Sequence, residues 1–271
     1  MRNWIYFLLV IFTIASCSQN NVKVDNNLNK YFDDNQVIGT FGLFNNGNGE
    51  FTIYNLKRFK DSTFLPASTF KIVNSLIGLE TGKIRDEKMV IKWDGITRSR
   101  PEWNQDLTME QAFKLSSVPY YQEVARRIGK ETMQFYLDSL GYGTRYQKPK
   151  IGKIDTFWLD NSVKVTADEQ LGLVKKLYFD QLPFQKRTMR IVKDVMVMEK
   201  NSNYTFAYKT GWGFLENGKS LGWIIGWIVE NQHPYFFALN FEGTHNIDMQ
   251  TVRMNILKGI LQQLGFFKGK M

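Results

Sequence analysis

Ser68 and Lys71 stand three positions apart in Pro66-Ala67-Ser68-Thr69-Phe70-Lys71, the only Ser-x-x-Lys in the chain. A serine hydroxyl is a weak nucleophile until a base takes its proton, and an uncharged amine within hydrogen-bond reach can do that. The spacing supplies the reach. Ile72, Val73, Leu76, Ile77 and Leu79 recur at helical intervals, and Thr81-Gly82 closes the run. Residues three apart share a helix face, so Lys71 would sit beside the Ser68 hydroxyl. The N-terminus of the same helix would favour the negative charge of an oxyanion. Taken alone, Lys71 fits an exposed helical lysine equally well, so the motif needs partners.

Two partners are present. Lys209-Thr210-Gly211 occurs once and lies on a predicted strand, where it offers a cation, a hydroxyl and a glycine that lets backbone approach a ligand closely. Ser116-Ser117-Val118 brings a second reactive hydroxyl after a short helix. His233 and His245 lie singly in predicted turns and make neither a metal site nor a Ser-His-Asp triad. The ten methionines are scattered and read as core filler.

These groups must be positioned by the surrounding elements. Val37–Phe44 and Phe51–Leu56 flank Asn45-Asn46-Gly47-Asn48-Gly49 and predict a hairpin. Thr108 caps a short helix through Leu115, and further helices fit Gln122–Ile128, Thr132–Leu140 and Arg187–Glu199. Thr166-x-x-Glu169 is a capping box opening a helix with Leu171, Leu173, Val174 and Leu177. Strands follow at Phe206–Thr210, Leu221–Val229 and Tyr235–Phe241, then a helix from Met249 to Leu264 closed by Gly265. The order implies an α/β protein: an antiparallel sheet flanked by N- and C-terminal helices, with a mostly helical subdomain inserted. The sheet part would take about residues 30–65 and 202–271, the helical part about 66–201.

Arg2, the apolar run Ile5–Ile14 and Ile14-Ala15-Ser16-Cys17 describe an export signal, too short to span as a stable helix. Ile-Ala-Ser-Cys resembles a bacterial lipobox, in which Cys17, the only cysteine, becomes the lipidated first residue of a mature chain 17–271. The alternative is an ordinary signal peptide cut nearby, with Cys17 incidental. The chain of 271 residues carries a formal net charge of +9. Export and the lack of an arginine-rich block argue against nucleic acid, leaving a solvated basic surface that favours anionic ligands or an anionic membrane face.

Ser-x-x-Lys, a serine-bearing loop and Lys-Thr-Gly, in this order, resemble the serine β-lactamases and penicillin-binding proteins. Ser68-Thr69-Phe70-Lys71 and Ser116-Ser117-Val118 resemble the first two motifs of class D (oxacillinase-type) β-lactamases. Phe157-Trp158-Leu159 is similar to the loop bearing that family's active-site tryptophan. Leu221–Trp227 looks like the strand after Lys-Thr-Gly, and Arg253 matches an arginine on the last helix. Tyr142-Gly143-Thr144 departs from the family's Tyr-Gly-Asn, which puts the local loop geometry in question; Tyr142 itself is read as structural. Val73 stands where many relatives have proline.

The resemblance implies the β-lactamase/penicillin-binding transpeptidase-like fold and hydrolysis of β-lactams through an acyl-enzyme on Ser68. It implies an oxyanion hole from the backbone N–H groups of Ser68 and Trp212. Lys71, buried beside Phe70, Val118 and Leu159, would take up carbon dioxide or bicarbonate as N6-carboxylysine and serve as general base, with the Trp158 indole as donor. Ser116 would relay a proton to the departing nitrogen. Lys209, Thr210 and Arg253 would hold the substrate carboxylate, Gly211 and Trp212 would complete the substrate-binding site, and Val118 and Leu159 would control water. Trp212, Phe214 and the 94–105 loop would shape the mouth. The implied location is periplasmic, lipid-anchored to a bacterial membrane. A β-lactam sensor that is acylated without turnover and a penicillin-binding D-alanyl-D-alanine peptidase share the same first step. Against the peptidase stands Val118 where that group usually has asparagine.

Overall fold

The computed structural model describes residues 21–268; the expected signal segment and Cys17 lie outside them. Strand β1 (Val22–Val24) and helix α1 (Asn29–Asp33) precede the hairpin β2 (Ile38–Asn45) and β3 (Glu50–Tyr54). Asn45 Oδ1 accepts from the Gly47 N–H at 2.8 Å, and Gly49 takes φ +73°, which closes the turn. Helix α2 (Leu56–Asp61) leads into a 3₁₀ turn, Ala67–Phe70, that runs straight into α3 (Lys71–Glu80). After α3 come β4 (Val90–Ile91), β5 (Leu107–Thr108), α4 (Met109–Lys114), α5 (Val118–Ile128), α6 (Lys130–Leu140), α7 (Ala167–Tyr178) and α8 (Lys186–Met196). The chain ends with β6 (Val197–Lys200), β7 (Tyr204–Phe214), β8 (Ser220–Glu230), β9 (His233–Gly243) and α9 (Met249–Gln263).

The main sheet has the order β1-β3-β2-β9-β8-β7-β6, with β4 and β5 forming a separate pair. Every neighbour in it is antiparallel except β1, which runs parallel to β3. The sheet is therefore mixed rather than purely antiparallel. Val22-Lys23-Val24 is too short, between Asn21 and Asp25, to announce itself in the sequence. Strand β8 is buried along nearly its whole length because both faces of the sheet are covered. Alternate residues serve opposite cores: Ile224 joins Phe41, Phe237, Ile256 and Ile260 beneath α1 and α9. Ile225 joins Ile72, Leu76, Val174 and Val192 on the helical side.

Helix boundaries differ from expectation in two informative places. Helix α5 starts at Val118, four residues early, with the Ser117 hydroxyl accepting from the Tyr120 N–H and Pro119 in the first turn. Helix α8 stops at Met196, and the apolar stripe carries on as strand β6. The capping boxes at Thr108/Gln111 and Thr166/Glu169 are both formed. Helix α7, reached within the helical insertion, lies against β9 and β8 and so belongs to the sheet's cover. Among the described residues no helix is long and apolar enough to cross a membrane.

Candidate active site

The nucleophile turn is fixed from three directions. Ala67 N–H donates to Trp158 O at 3.1 Å, and Phe64 pairs with Val165 as an isolated antiparallel bridge. Trp223 Nε1 donates to Leu65 O at 2.9 Å. Thr69 Oγ1 donates to Pro66 O and accepts from Gln170 Nε2, each at 2.6 Å. Strand β7 lies directly over the turn: a Cβ on Gly211 would stand 3.1 Å from Pro66 O and 3.1 Å from Trp223 Cβ. Gly211 thus lets the strand approach the turn, where the sequence suggested that it admits a ligand. Ala67 holds φ +47° and Ser116 φ +54°, a left-handed backbone that costs a side-chain-bearing residue of order 1–3 kcal/mol. Both strained residues adjoin or supply a reactive hydroxyl.

Because i and i+3 nearly eclipse in a 3₁₀ turn, Lys71 Nζ reaches Ser68 Oγ at 2.7 Å. Lys71 is fully buried, not an exposed helical lysine. Desolvation, and secondarily the charge of Arg100, pull its amine down to about 7 from the usual lysine value. The Trp158 ring stacks on Phe70 at 5.4 Å, and its Nε1 is buried without a hydrogen-bond partner among the described residues. An unpaired buried donor costs roughly 1–3 kcal/mol.

Lys209 Nζ donates to Ser116 Oγ at 3.0 Å and to Thr210 O at 3.1 Å. Its side chain is buried, and desolvation together with the charges of Lys71, Arg253 and Arg100 lowers its pKa well below the ordinary range. Ser68, Ser116, Val118, Leu159, Thr210, Trp212 and Arg253 all line one open cleft of about 650 Å³. Lys209 stands behind Ser116 instead of on the cleft wall. Arg253 Nη1 donates to Gly211 O at 3.2 Å, which ties α9 to β7, while its Nε is buried and unpaired among the described residues. Burial lowers the guanidinium to about 10.

This geometry has counterparts in known proteins. Residues 23–262 match the penicillin binding protein transpeptidase domain. The chain is 39% identical over 87% of its length to β-lactamase OXA-48 of Klebsiella pneumoniae, covering 86% of that protein. The chain belongs to the class D β-lactamases. A class D β-lactamase structure from Nostoc superposes with a TM-score of 0.83 at 37% identity, covering 89% of this chain and 99% of that one. The C-terminal domain of the Bacillus licheniformis BlaR penicillin receptor superposes with a TM-score of 0.84 at 30% identity, covering 91% and 97% respectively. The α/β transpeptidase-type fold is thus common to class D enzymes and to a receptor domain.

Within this class D framework two features escaped sequence reasoning. Arg100 sits on the cleft wall, with its Cζ 5.0 Å from the Trp103 ring and 6.0 Å from the Trp212 ring. It belongs to the loop expected to shape the mouth, yet no motif singles it out. The Lys209–Ser116 bond also crosses 93 positions and has no local signal. Tyr142 is buried against Phe70, a structural role, and Thr144 Oγ1 donates to Gly141 O at 2.9 Å to close the turn.

Proposed function

We propose that this chain hydrolyses β-lactam antibiotics by acylation and deacylation of Ser68. The observation that carries the reading is the 2.7 Å contact between Ser68 Oγ and a fully buried Lys71 amine held near neutrality. Ser68 Oγ attacks the lactam carbonyl, forming an ester as the ring C–N bond breaks. The proton leaving Ser68 ends on the ring nitrogen, passed through Ser116, with Lys209 behind it as the charge reservoir. Backbone N–H groups of Ser68 and Trp212 face the developing oxyanion. Thr210 and Arg253 hold the ring carboxylate, an anion suited to a guanidinium with unpaired donors. Water then cleaves the ester, with Val118 and Leu159 limiting its access.

A carbamate formed on Lys71 from carbon dioxide or bicarbonate would supply a carboxylate-like base for both steps. The residues fit it: Lys71 is uncharged often enough to react, and the Trp158 indole N–H lacks an acceptor. For localisation, the coarse reading is export, as in β-lactamases generally. The finer reading is a periplasmic protein lipidated at Cys17 and held on a bacterial membrane, which intact-mass measurement of the membrane fraction tests.

The BlaR likeness supports one alternative, a receptor domain acylated without release. A time course of benzylpenicillin hydrolysis with and without bicarbonate separates them. Many turnovers, faster with bicarbonate, support the hydrolase; one equivalent consumed and then none supports the receptor.

A further inference from the structure

Two guanidiniums and one carboxylate of the protein's own line the cleft, so one guanidinium is left over when the other takes the ring carboxylate. Its charged lining side chains are Arg100, Asp248 and Arg253. Asp248 is already engaged, accepting from the Thr251 N–H at 3.1 Å as the cap of α9. Arg253 is the partner proposed for the ring carboxylate. Arg100 remains. Its nearest acid among the described residues is Glu102 at 3.8 Å, beyond hydrogen-bond length, and both side chains are about 40% exposed (43% and 40%). Such a pair contributes little and leaves the guanidinium donors available.

Arg100 is nevertheless held in place. Arg98 N–H donates to Asn104 Oδ1 at 2.9 Å, and Asn104 Nδ2 returns a bond to Arg98 O at 3.0 Å, which clamps the loop on both sides of Arg100. Trp103 Nε1 donates to Leu115 O at 3.1 Å, next to Ser116. The guanidinium is thus presented between the Trp103 and Trp212 rings by a loop whose shape is set beforehand. Arg100 and Arg253 come from different parts of the chain, the loop before α4 and helix α9. In a bicyclic β-lactam the ring carboxylate and the acyl side chain leave from opposite ends, on either side of the carbonyl that Ser68 attacks. With the carboxylate at Arg253, Arg100 is the guanidinium on the same cleft that is left to meet a second anionic group.

We propose that Arg100 selects β-lactams that carry a second acidic group on the acyl side chain. The proposal rests on the β-lactam reading above and names the substrate class of that same cleft. A side-chain carboxylate meets the guanidinium as a charge-assisted, potentially bidentate pair.

Benzylpenicillin and α-carboxybenzylpenicillin differ only by that carboxylate, so the ratio of their rates isolates the contact. Second-order rates of Ser68 acylation, followed by intact mass, are compared in wild type, Arg100→Met and Arg100→Lys. The dianion-to-monoanion ratio is expected to fall about tenfold in Arg100→Met, the loss of one charge-assisted hydrogen bond, and to recover in large part in Arg100→Lys. In wild type the ratio should also decline with added salt. Acylation of both compounds with an unchanged ratio in Arg100→Met overturns this proposal alone. Acylation by benzylpenicillin but not by the α-carboxy compound in wild type also overturns this proposal alone, whereas failure of both compounds to acylate Ser68 overturns the reading on which it stands, and this proposal with it.

Discussion

Lys209 and Ser116 form one unit: the buried amine donates to the Ser116 hydroxyl at 3.0 Å, from a strand edge to a left-handed residue at a helix entrance. This bond would let Lys209 handle a proton as well as hold the substrate carboxylate. An amine depressed by desolvation and by Lys71, Arg253 and Arg100 releases a proton more readily than an exposed lysine. Lys209→Ala should therefore slow acylation about a hundredfold, at the low end of general acid–base effects, with a smaller change in substrate binding. Stopped-flow acylation kinetics would check this, and a loss confined to KM would return Lys209 to the carboxylate.

Lys71→Ala should keep the fold and lose turnover by about a thousandfold or more, because the group next to Ser68 Oγ is removed. Circular dichroism and steady-state hydrolysis of benzylpenicillin test the two halves separately. Turnover like wild type in a folded variant would sink Lys71 as the base.

How much of this was legible follows local structure. The Ser68–Lys71 contact was readable because both residues lie within one turn, where spacing dictates proximity. The capping boxes were readable for the same reason. The start of α5 was missed although Ser117 and Pro119 signalled it, since the apolar pattern alone begins later. Strand β6 was hidden because Val197 and Met198 extend the stripe of α8. The strain at Ala67 and Ser116 was invisible, as neither residue type advertises positive φ. Arg100 was passed over for a different reason: its importance comes from two tryptophans, one three residues away and one on β7, that only folding brings around it.

Trp158 separates packing from hydrogen bonding. Trp158→Phe keeps a ring against Phe70 and Phe157 and removes the unpaired Nε1 donor. The expected result is a folded protein whose deacylation slows more than its acylation, with partial recovery on adding bicarbonate. Trp158→Ala should show the same order of effects and a further stability loss of about 3–5 kcal/mol from the cavity. Deacylation indifferent to bicarbonate in both variants would count against the indole as the carbamate's donor.

The buried amine of Lys71 also sets a stability signature. Its pKa is about 7 folded, against the ordinary lysine value of 10.5 when the chain is unfolded. Between those two values the unfolded chain binds more protons, so stability rises with pH through that window and the penalty is largest at or below neutrality. Lys71→Met fills similar space without a charge to desolvate. In buffer free of carbon dioxide, the melting temperature of Lys71→Met should exceed that of wild type near pH 7, and the gap should narrow as the pH approaches 10. Thermal melts across that range would decide it. A constant gap would mean that packing rather than charge separates the two proteins, and that the amine beside Ser68 is not desolvated as its burial implies.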